Sequence, residues 1–315
     1  PTPQNNTTEE SSAASDVYKR QELFFAKSCT IPPRQHYTIP LKDESDATML
    51  LMPAWISGEY SGVKLINIYP ENPRRGLPTI VGTYLLMNAS TGEVIAQLDG
   101  AELTARRTVC ASALASKYLS RSNSAHLLIV GSGRLARYLG FAHQAVRPLQ
   151  RISIWARNRD NADEVALIYT KAGFVCEVID DLESGCAGAD IISCATMSSE
   201  PLISGKWLAP GTHIDLIGAF TPDTREADDQ AVARSTLFVD TRDGALSEAG
   251  DLLIPIARGV IDRGDVAAEL SELVSARHPG RVAEDEITLF KSVGTAGEDL
   301  AAAVRCYENM VAKRH

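Results

Sequence analysis

His126-Leu127-Leu128-Ile129-Val130 is an unbroken apolar run that passes without a spacer into Gly131-Ser132-Gly133-Arg134-Leu135-Ala136. The run reads as a buried strand, and the G-x-G-x-x-A directly after it opens a helix with Leu135, Leu139 and Ala142 on one face. Gly131 permits a tight turn, Gly133 lets the backbone come close to a pyrophosphate, and Ala136 allows the helix to pack against the strand. At Arg134 and Leu135 the start of the helix offers backbone N–H groups to phosphate oxygens. A glycine pattern by itself occurs by chance. Set between a strand and a helix, with a second strand ending about 25 residues on, it is a dinucleotide signature.

That second strand ends Trp155-Ala156-Arg157-Asn158-Arg159. An Asp or Glu here would grip a ribose 2′-hydroxyl; two arginines and no carboxylate suit a 2′-phosphate better. NADPH is therefore expected over NADH, the alternative being that both arginines are solvated and the choice is loose. Further apolar runs begin at residues 151, 174, 190, 212 and 236 (RISIWA, FVCEVI, DIISCAT, THIDLIG, TLFVDT). With the run at 126 they make six strands separated by helical or irregular segments, the pattern of an α/β, Rossmann-type, doubly wound parallel sheet.

Upstream, MLLMPAW, GVKLINIY, VGTYLLMN and EVIAQLDG are short β-rich runs bounded by Gly, Pro and Asn, the strands of a separate sheet. Residues 1–20 are polar and Ser/Thr/Asn-rich, and a disordered tail is expected there. An Ala-rich helix is expected from about Ala296 to Ala312. These segments imply a β-rich domain over 21–117, completed by 290–315, and a nucleotide-binding domain over 118–289.

The chain has 315 residues and a formal charge of −9, which argues against a nucleic-acid or anionic-membrane surface and requires placed cations for any anionic substrate. Six scattered cysteines without a CxxC pair read as reduced thiols, mostly packed in the core. His36, His126, His143, His213, His278 and His315 show no metal-ligand spacing, so no metal is expected. No apolar run reaches the roughly 18 residues of a membrane span, and no signal peptide is evident, so a cytoplasmic location is expected.

Two cations stand out by position. Asp99 and Glu102 form a D-x-x-E start for a helix through about Tyr118, on which Leu103, Arg107, Cys110 and Leu114 share one stripe. A guanidinium on an apolar face asks for an anion; the alternative is a half-exposed arginine lying along a small-residue face. Lys64, in Val63-Lys64-Leu65-Ile66-Asn67, reads by alternation alone as a solvated strand position.

Taken together, MLLMPAW, GVKLINIYPENPRRGLPT, DGAELTARRT, GSGRLA, IGAFTPDTREAD and LFKSVGTAGEDLA resemble the ornithine cyclodeaminase/mu-crystallin family over nearly the whole chain after the tail. The resemblance implies a homodimer built through the N-terminal β domain. It implies Arg34 and Lys64 at a substrate carboxylate, and Thr79 and Arg107 reaching the cofactor, Arg107 at its pyrophosphate. Thr196 and Ser292 would line the nicotinamide, with Ile217 and Gly218 in the loop after the fifth strand. Where the cyclodeaminases carry a proton-handling aspartate, this chain has Phe220. A phenyl ring cannot relay a proton, so ornithine cyclisation is disfavoured. The loop is closer to that of the branch that reduces cyclic imino acids, Δ1-pyrroline-2-carboxylate in particular, and Phe220 would pack on the ring methylenes. Lys64 is the candidate proton donor, with water or protonation from solution as the alternative. A six-membered ketimine, reductive amination of pyruvate, and cofactor binding without turnover are the other readings within the family.

Overall fold

The computed structural model describes residues 3–26 and 29–313; His315 and the first two residues of the expected tail lie outside them. The chain divides into two compact units. An α/β unit takes the residues up to Lys19 and Thr108–Gly294, and a β unit takes Arg20–Arg107 and the residues from Thr295 on.

Residues 1–20 require a correction. From Pro3 to Ala26 the chain forms helix α1. Its composition is poor in apolar groups, but those it has are placed at its C-terminal end, where Tyr18, Gln21 and Phe24 are buried. Within the β unit Gln21 Nε2 donates to the Arg107 carbonyl at 3.0 Å and Arg20 pairs with Glu308 at 2.7 Å. Anchors of this kind offset the ordering entropy that composition alone suggested would win.

In the β unit, β1 (Gln35–Ile39), β2 (Ala47–Ile56), β3 (Tyr60–Ile68), β4 (Ile80–Asn88) and β5 (Val94–Asp99) form an antiparallel sheet in chain order. Alternation sets one face inward: Leu50, Met52 and Ala54 on β2 and Tyr84 and Leu86 on β4 are buried. Helix α2 (Gly100–Leu119) comes next, with Asp99 Oδ1 accepting from the Glu102 N–H at 2.8 Å as its N-cap. The expected stripe Leu103, Arg107, Cys110 and Leu114 is buried throughout.

The α/β unit holds β6 (His126–Val130), α3 (Ala136–Gln144), β7 (Arg151–Trp155), α4 (Arg159–Lys171), β8 (Val175–Val178), α5 (Leu182–Gly188), β9 (Ile191–Cys194) and β10 (His213–Leu216). Next come α6 (Asp229–Ala233), β11 (Thr236–Val239), α7 (Arg242–Glu248), α8 (Gly250–Ala257), β12 (Val266–Glu269), α9 (Leu270–Val274) and β13 (Thr288–Lys291). The six expected strands are present, and β12 and β13 add to them, giving a parallel sheet of eight in the order β12-β11-β13-β10-β9-β6-β7-β8. Because β13 pairs with both β10 and β11, residues 290–294 belong to this unit. The division expected at 289/290 therefore falls at 294/295, and the one expected at 117/118 falls at 107/108 within the continuous α2. Helix α10 (Ala296–Ala312) returns to the β unit and packs on β2, β3 and β4.

Tyr169, fully buried on α4, ties down the helix after the glycine loop. Its hydroxyl accepts from the Gly140 N–H at 2.9 Å and donates to the Ala136 carbonyl. Tyr169→Phe leaves that N–H and carbonyl without their side-chain partner, and the expected cost is about 1–3 kcal/mol. Thermal and urea unfolding followed by circular dichroism measure it; an unchanged midpoint removes Tyr169 from the account of how α3 is held.

Candidate active site

Each unit carries part of the chemistry. In the β unit Lys64 faces inward on β3, directly between Met52 of β2 and Tyr84 of β4. Only 1% of it is exposed, so the solvated-face reading is excluded. An ammonium in such a place must be paired, and Asp299 Oδ2 lies 2.7 Å from Nζ, with Thr104 Oγ1 at 3.4 Å. The other oxygen of Asp299 accepts from Arg107 Nε at 3.0 Å, and Arg107 NH1 reaches Glu298 Oε2 at 2.7 Å. Arg107 thus meets an anion inside the chain, on the first turn of α10. Arg34, half-buried immediately before β1, adds positive charge felt at Lys64. Burial, helped by Arg107 and Arg34 and opposed by Asp299, lowers the Lys64 ammonium from 10.5 to about 8. Thr79 sits just before β4, where its carbonyl accepts from the Tyr69 N–H at 2.8 Å.

In the α/β unit the C-terminal ends of the strands frame a cavity of about 230 Å³, lined among others by Gly131, Trp155, Arg157, Asn158 and Thr196. Gly131 has φ +118°, and a Cβ there would lie 2.8 Å from the Ala195 carbonyl oxygen, so only glycine fits. A Cβ on Gly133 would meet nothing within 4 Å, which leaves its backbone open to a ligand. Arg134 is exposed and Leu135 is the N-cap residue of α3. Arg157 is exposed beside the cavity. Asn158 caps α4 by accepting from Asn161 N at 3.2 Å. Arg159 is drawn away: its guanidinium pairs with Asp180. This open glycine turn, a pocket at the strand ends and a β7 end that carries Arg157 and Asn158 in place of a carboxylate suit a dinucleotide.

Buried carboxylates fix the loops at this edge, and none of them was singled out from the sequence. Glu226 accepts from Thr196 N at 2.7 Å and Thr196 Oγ1 at 3.0 Å with one oxygen, and from Gly218 N at 2.9 Å and Ala219 N at 3.2 Å with the other. It thereby joins the loops after β9 and β10, which approach so closely that a Cβ on Gly218 would fall 2.0 Å from Thr196 N. Asp251 Oδ1 accepts from Glu226 N at 2.7 Å, and Lys291 Nζ lies 2.8 Å from Asp251 and 3.6 Å from Glu226. Burial raises the Glu226 carboxyl, while in Lys291 the two carboxylates outweigh burial and raise the ammonium. Asp240, raised by burial, accepts from Ser292 Oγ at 3.0 Å and from Val293 N and Gly294 N at 2.9 and 2.7 Å. Ile217 is buried, its N–H donating to the Cys194 carbonyl at 2.9 Å, and Phe220 is half-buried against the apolar core. The one available signal was that Glu226, Lys291, Glu298 and Asp299 all lie within the motif pieces IGAFTPDTREAD and LFKSVGTAGEDLA.

A Ser–His–Asp set also exists, Ser112, His143 and Asp215, with Ser193 Oγ donating to Asp215 at 2.7 Å. All four residues are fully buried, and His143 turns the same nitrogen, Nε2, toward both Ser112 and Asp215. A triad needs a relay through both ring nitrogens, which His143 does not provide, so this cluster is structural. Among the described residues no group of three His, Cys, Asp or Glu is arranged to hold a metal ion, and no helix is long and apolar enough to cross a membrane. All six cysteines are free; Cys306 is exposed and does not join the core as expected.

The sequence pattern of the ornithine cyclodeaminase/mu-crystallin family matches residues 5–314. The chain is 41% identical over 280 residues to the Δ1-pyrroline-2-carboxylate reductase of Paracoccus denitrificans, covering 86% of this chain and 88% of that one. Its fold superposes with a TM-score of 0.85 on the Thermococcus litoralis Δ1-pyrroline-2-carboxylate reductase solved with NADH and L-proline, at 34% identity and covering 98% and 94% of the two chains. An archaeal alanine dehydrogenase dimer with bound NAD gives a TM-score of 0.87 at 28% identity, with 98% and 95% covered. The chain belongs to the ornithine cyclodeaminase/mu-crystallin family.

Proposed function

We propose that this protein reduces Δ1-pyrroline-2-carboxylate to L-proline with a nicotinamide cofactor, in the cytoplasm and as a homodimer. The observation that carries the reading is Lys64: a buried ammonium held by Asp299 beside guanidinium groups that can hold a carboxylate, with burial lowering its hold on the proton. The Paracoccus and Thermococcus relatives, named for this reaction, support it, as does the L-proline bound to the latter. The archaeal dimer supports the assembly.

A bound nicotinamide would supply the hydride for C2 of the imine. Conversion of C=N to CH–NH then requires one proton on nitrogen, and Lys64 Nζ delivers it. A donor with a pKa near 8 is still protonated at pH 7 yet parts with its proton readily, the compromise general acid catalysis needs. Arg34 and Arg107 hold the substrate carboxylate, for which planar guanidinium groups offer paired donors, and Lys64 adds charge to the same clamp. Phe220 receives the ring methylenes and excludes water. Thr196, Ile217, Gly218 and Ser292 form the nicotinamide side. Gly131, Gly133, Arg134 and Leu135 receive the phosphates, and Arg157 with Asn158 receives the ribose 2′ substituent. Arg159, exposed and paired with Asp180, stands next to them.

Oxidation of NADPH and NADH followed at 340 nm, with the five- and six-membered cyclic imines, pyruvate plus ammonia, and ornithine, tests the reading; no turnover of the five-membered imine with either cofactor overturns it. Lys64→Ala is expected to lower kcat/KM by about 10²–10⁴ while cofactor binding is kept. In the wild type, kcat/KM is expected to fall as pH rises through about 8, because the acid is lost when the ammonium deprotonates. NADPH is the expected preference. Arg157→Ala should then raise the KM for NADPH about tenfold, one charge-assisted contact, and leave that for NADH nearly unchanged. Equal effects on the two cofactors would remove Arg157 from the 2′-phosphate.

A further inference from the structure

We propose that Asp299, on the first turn of the C-terminal helix, is a positioning residue that fixes Lys64 Nζ and Arg107 Nε on its two carboxylate oxygens and so keeps the lysine both in place and charged. The inference rests on the reading of Lys64 as the proton source. It assigns a function to α10 beyond closing the β unit.

The geometry is specific. Asp299 has 0% exposure and lies 2.7 Å from Lys64 Nζ and 3.0 Å from Arg107 Nε, one contact to each oxygen. Its place is fixed by packing. Thr295 caps the helix through Gly297 N at 3.4 Å, and a Cβ on Gly297 would fall 2.6 Å from the Ile31 side chain, so the first turn is seated closely against the chain near residue 31. Residues 296–304 of the helix are buried without a break. Both carboxylates stand at the N-terminal turn of the helix, whose free N–H groups favour negative charge.

The groups facing Lys64 come from every element around it. From α10 there is Asp299, from α2 Arg107 and Thr104, from the residue before β1 Arg34, and across the sheet the buried Tyr84 phenol, itself raised by burial and by Asp299. Of these only Asp299 is an anion, and it alone opposes burial and two guanidinium groups in holding the proton on Lys64. Glu298, by contrast, is paired with Arg107. The two adjacent carboxylates therefore have separable effects: Glu298 acts on the carboxylate clamp, Asp299 on the clamp and the proton donor together.

The test compares pH profiles of kcat and kcat/KM for Δ1-pyrroline-2-carboxylate reduction in wild type, Asp299→Asn, Asp299→Glu and Glu298→Gln, with NADH binding as the check on folding. Asp299→Asn is expected to move the alkaline limb to lower pH by about 1–3 units, the usual effect of removing an opposite charge at this distance. It should lower kcat at pH 8 by about tenfold for each unit. Asp299→Glu should recover part of the shift, and Glu298→Gln should raise KM without moving the limb. A limb that stays in place in Asp299→Asn, with NADH binding retained, overturns the proposal, as does an equal displacement in Glu298→Gln. Should the Asn variant not fold, Asp299→Ser is measured the same way. Lys64 is also titrated directly by ¹³Cε NMR, its signal assigned by its loss in Lys64→Arg. If the wild type does not reduce the imine, the functional reading fails. The Asp299 inference is then still decided by whether the Lys64 midpoint falls in Asp299→Asn or is the same as in wild type.

Discussion

A lysine ammonium buried on the inner face of a β-sheet is the constraint around which the β unit is built. Moving such a charge out of water costs several kcal/mol, and the cost is met only if an anion stands within contact distance. No residue of β2 or β4 beside Lys64 provides one, since its cross-strand neighbours are Met52 and Tyr84. The anion comes from α10, near the end of the chain, and this fixes where the first turn of that helix must lie. The same carboxylate also takes Arg107 from α2, so one aspartate sets the positions of two helices relative to one strand. Removing it would leave Lys64 beside Arg107 without its own anion, since Glu298 is paired with Arg107.

The α/β unit solves a different problem with the same chemistry. Its working parts are backbone loops at the ends of strands, and loops are held less firmly than the strands they leave. Glu226 uses both oxygens to bind two loops, and Asp240 binds a third, each accepting backbone N–H groups that have no partner in a sheet. Lys291 then compensates the charge of Glu226 and Asp251 from behind. The result is an edge whose amides and hydroxyls are oriented before any ligand arrives, and preorganised dipoles are more effective than ones that must turn.

What could be read from the sequence was what is local. Strand–glycine–helix order, the six apolar runs and the stripe on α2 are written in neighbouring residues, and the structure has all of them. Strands β12 and β13 were missed because Val-Ala-Ala-Glu and Thr-Leu-Phe-Lys lie in polar, irregular surroundings, whereas the equally short β8 to β11 sit within longer apolar runs. Helix α1 was missed because its few apolar residues are gathered at one end, where averaging over composition hides them. For Lys64, alternation within β3 was uninformative, since the pattern says which residues share a face and not which face is covered. The carboxylates were missed for a further reason. Glu298 and Asp299 at a helix start, or Glu226 in a loop, look like ordinary solvated or dipole-matching charges until the cation across from them is known.

Arg107 shows how far position alone can be pressed. Its place on an apolar helical stripe demands an anion, and that inference held; it did not say whether the anion would belong to a ligand or to the chain. The answer turns on what else is nearby. A guanidinium alone at a surface cleft would be left for a phosphate, whereas one beside a second buried cation has to be neutralised before any ligand binds, or the unit would not fold with both charged. Glu298 and Asp299 perform that neutralisation, and in doing so they bring Arg107 into the same cluster as Lys64. The requirement of the folded state thus gathers Lys64 and Arg107 around one pair of carboxylates. The proton affinity of Lys64 depends on the same set of charges, so stability and acid strength in this unit cannot be adjusted independently.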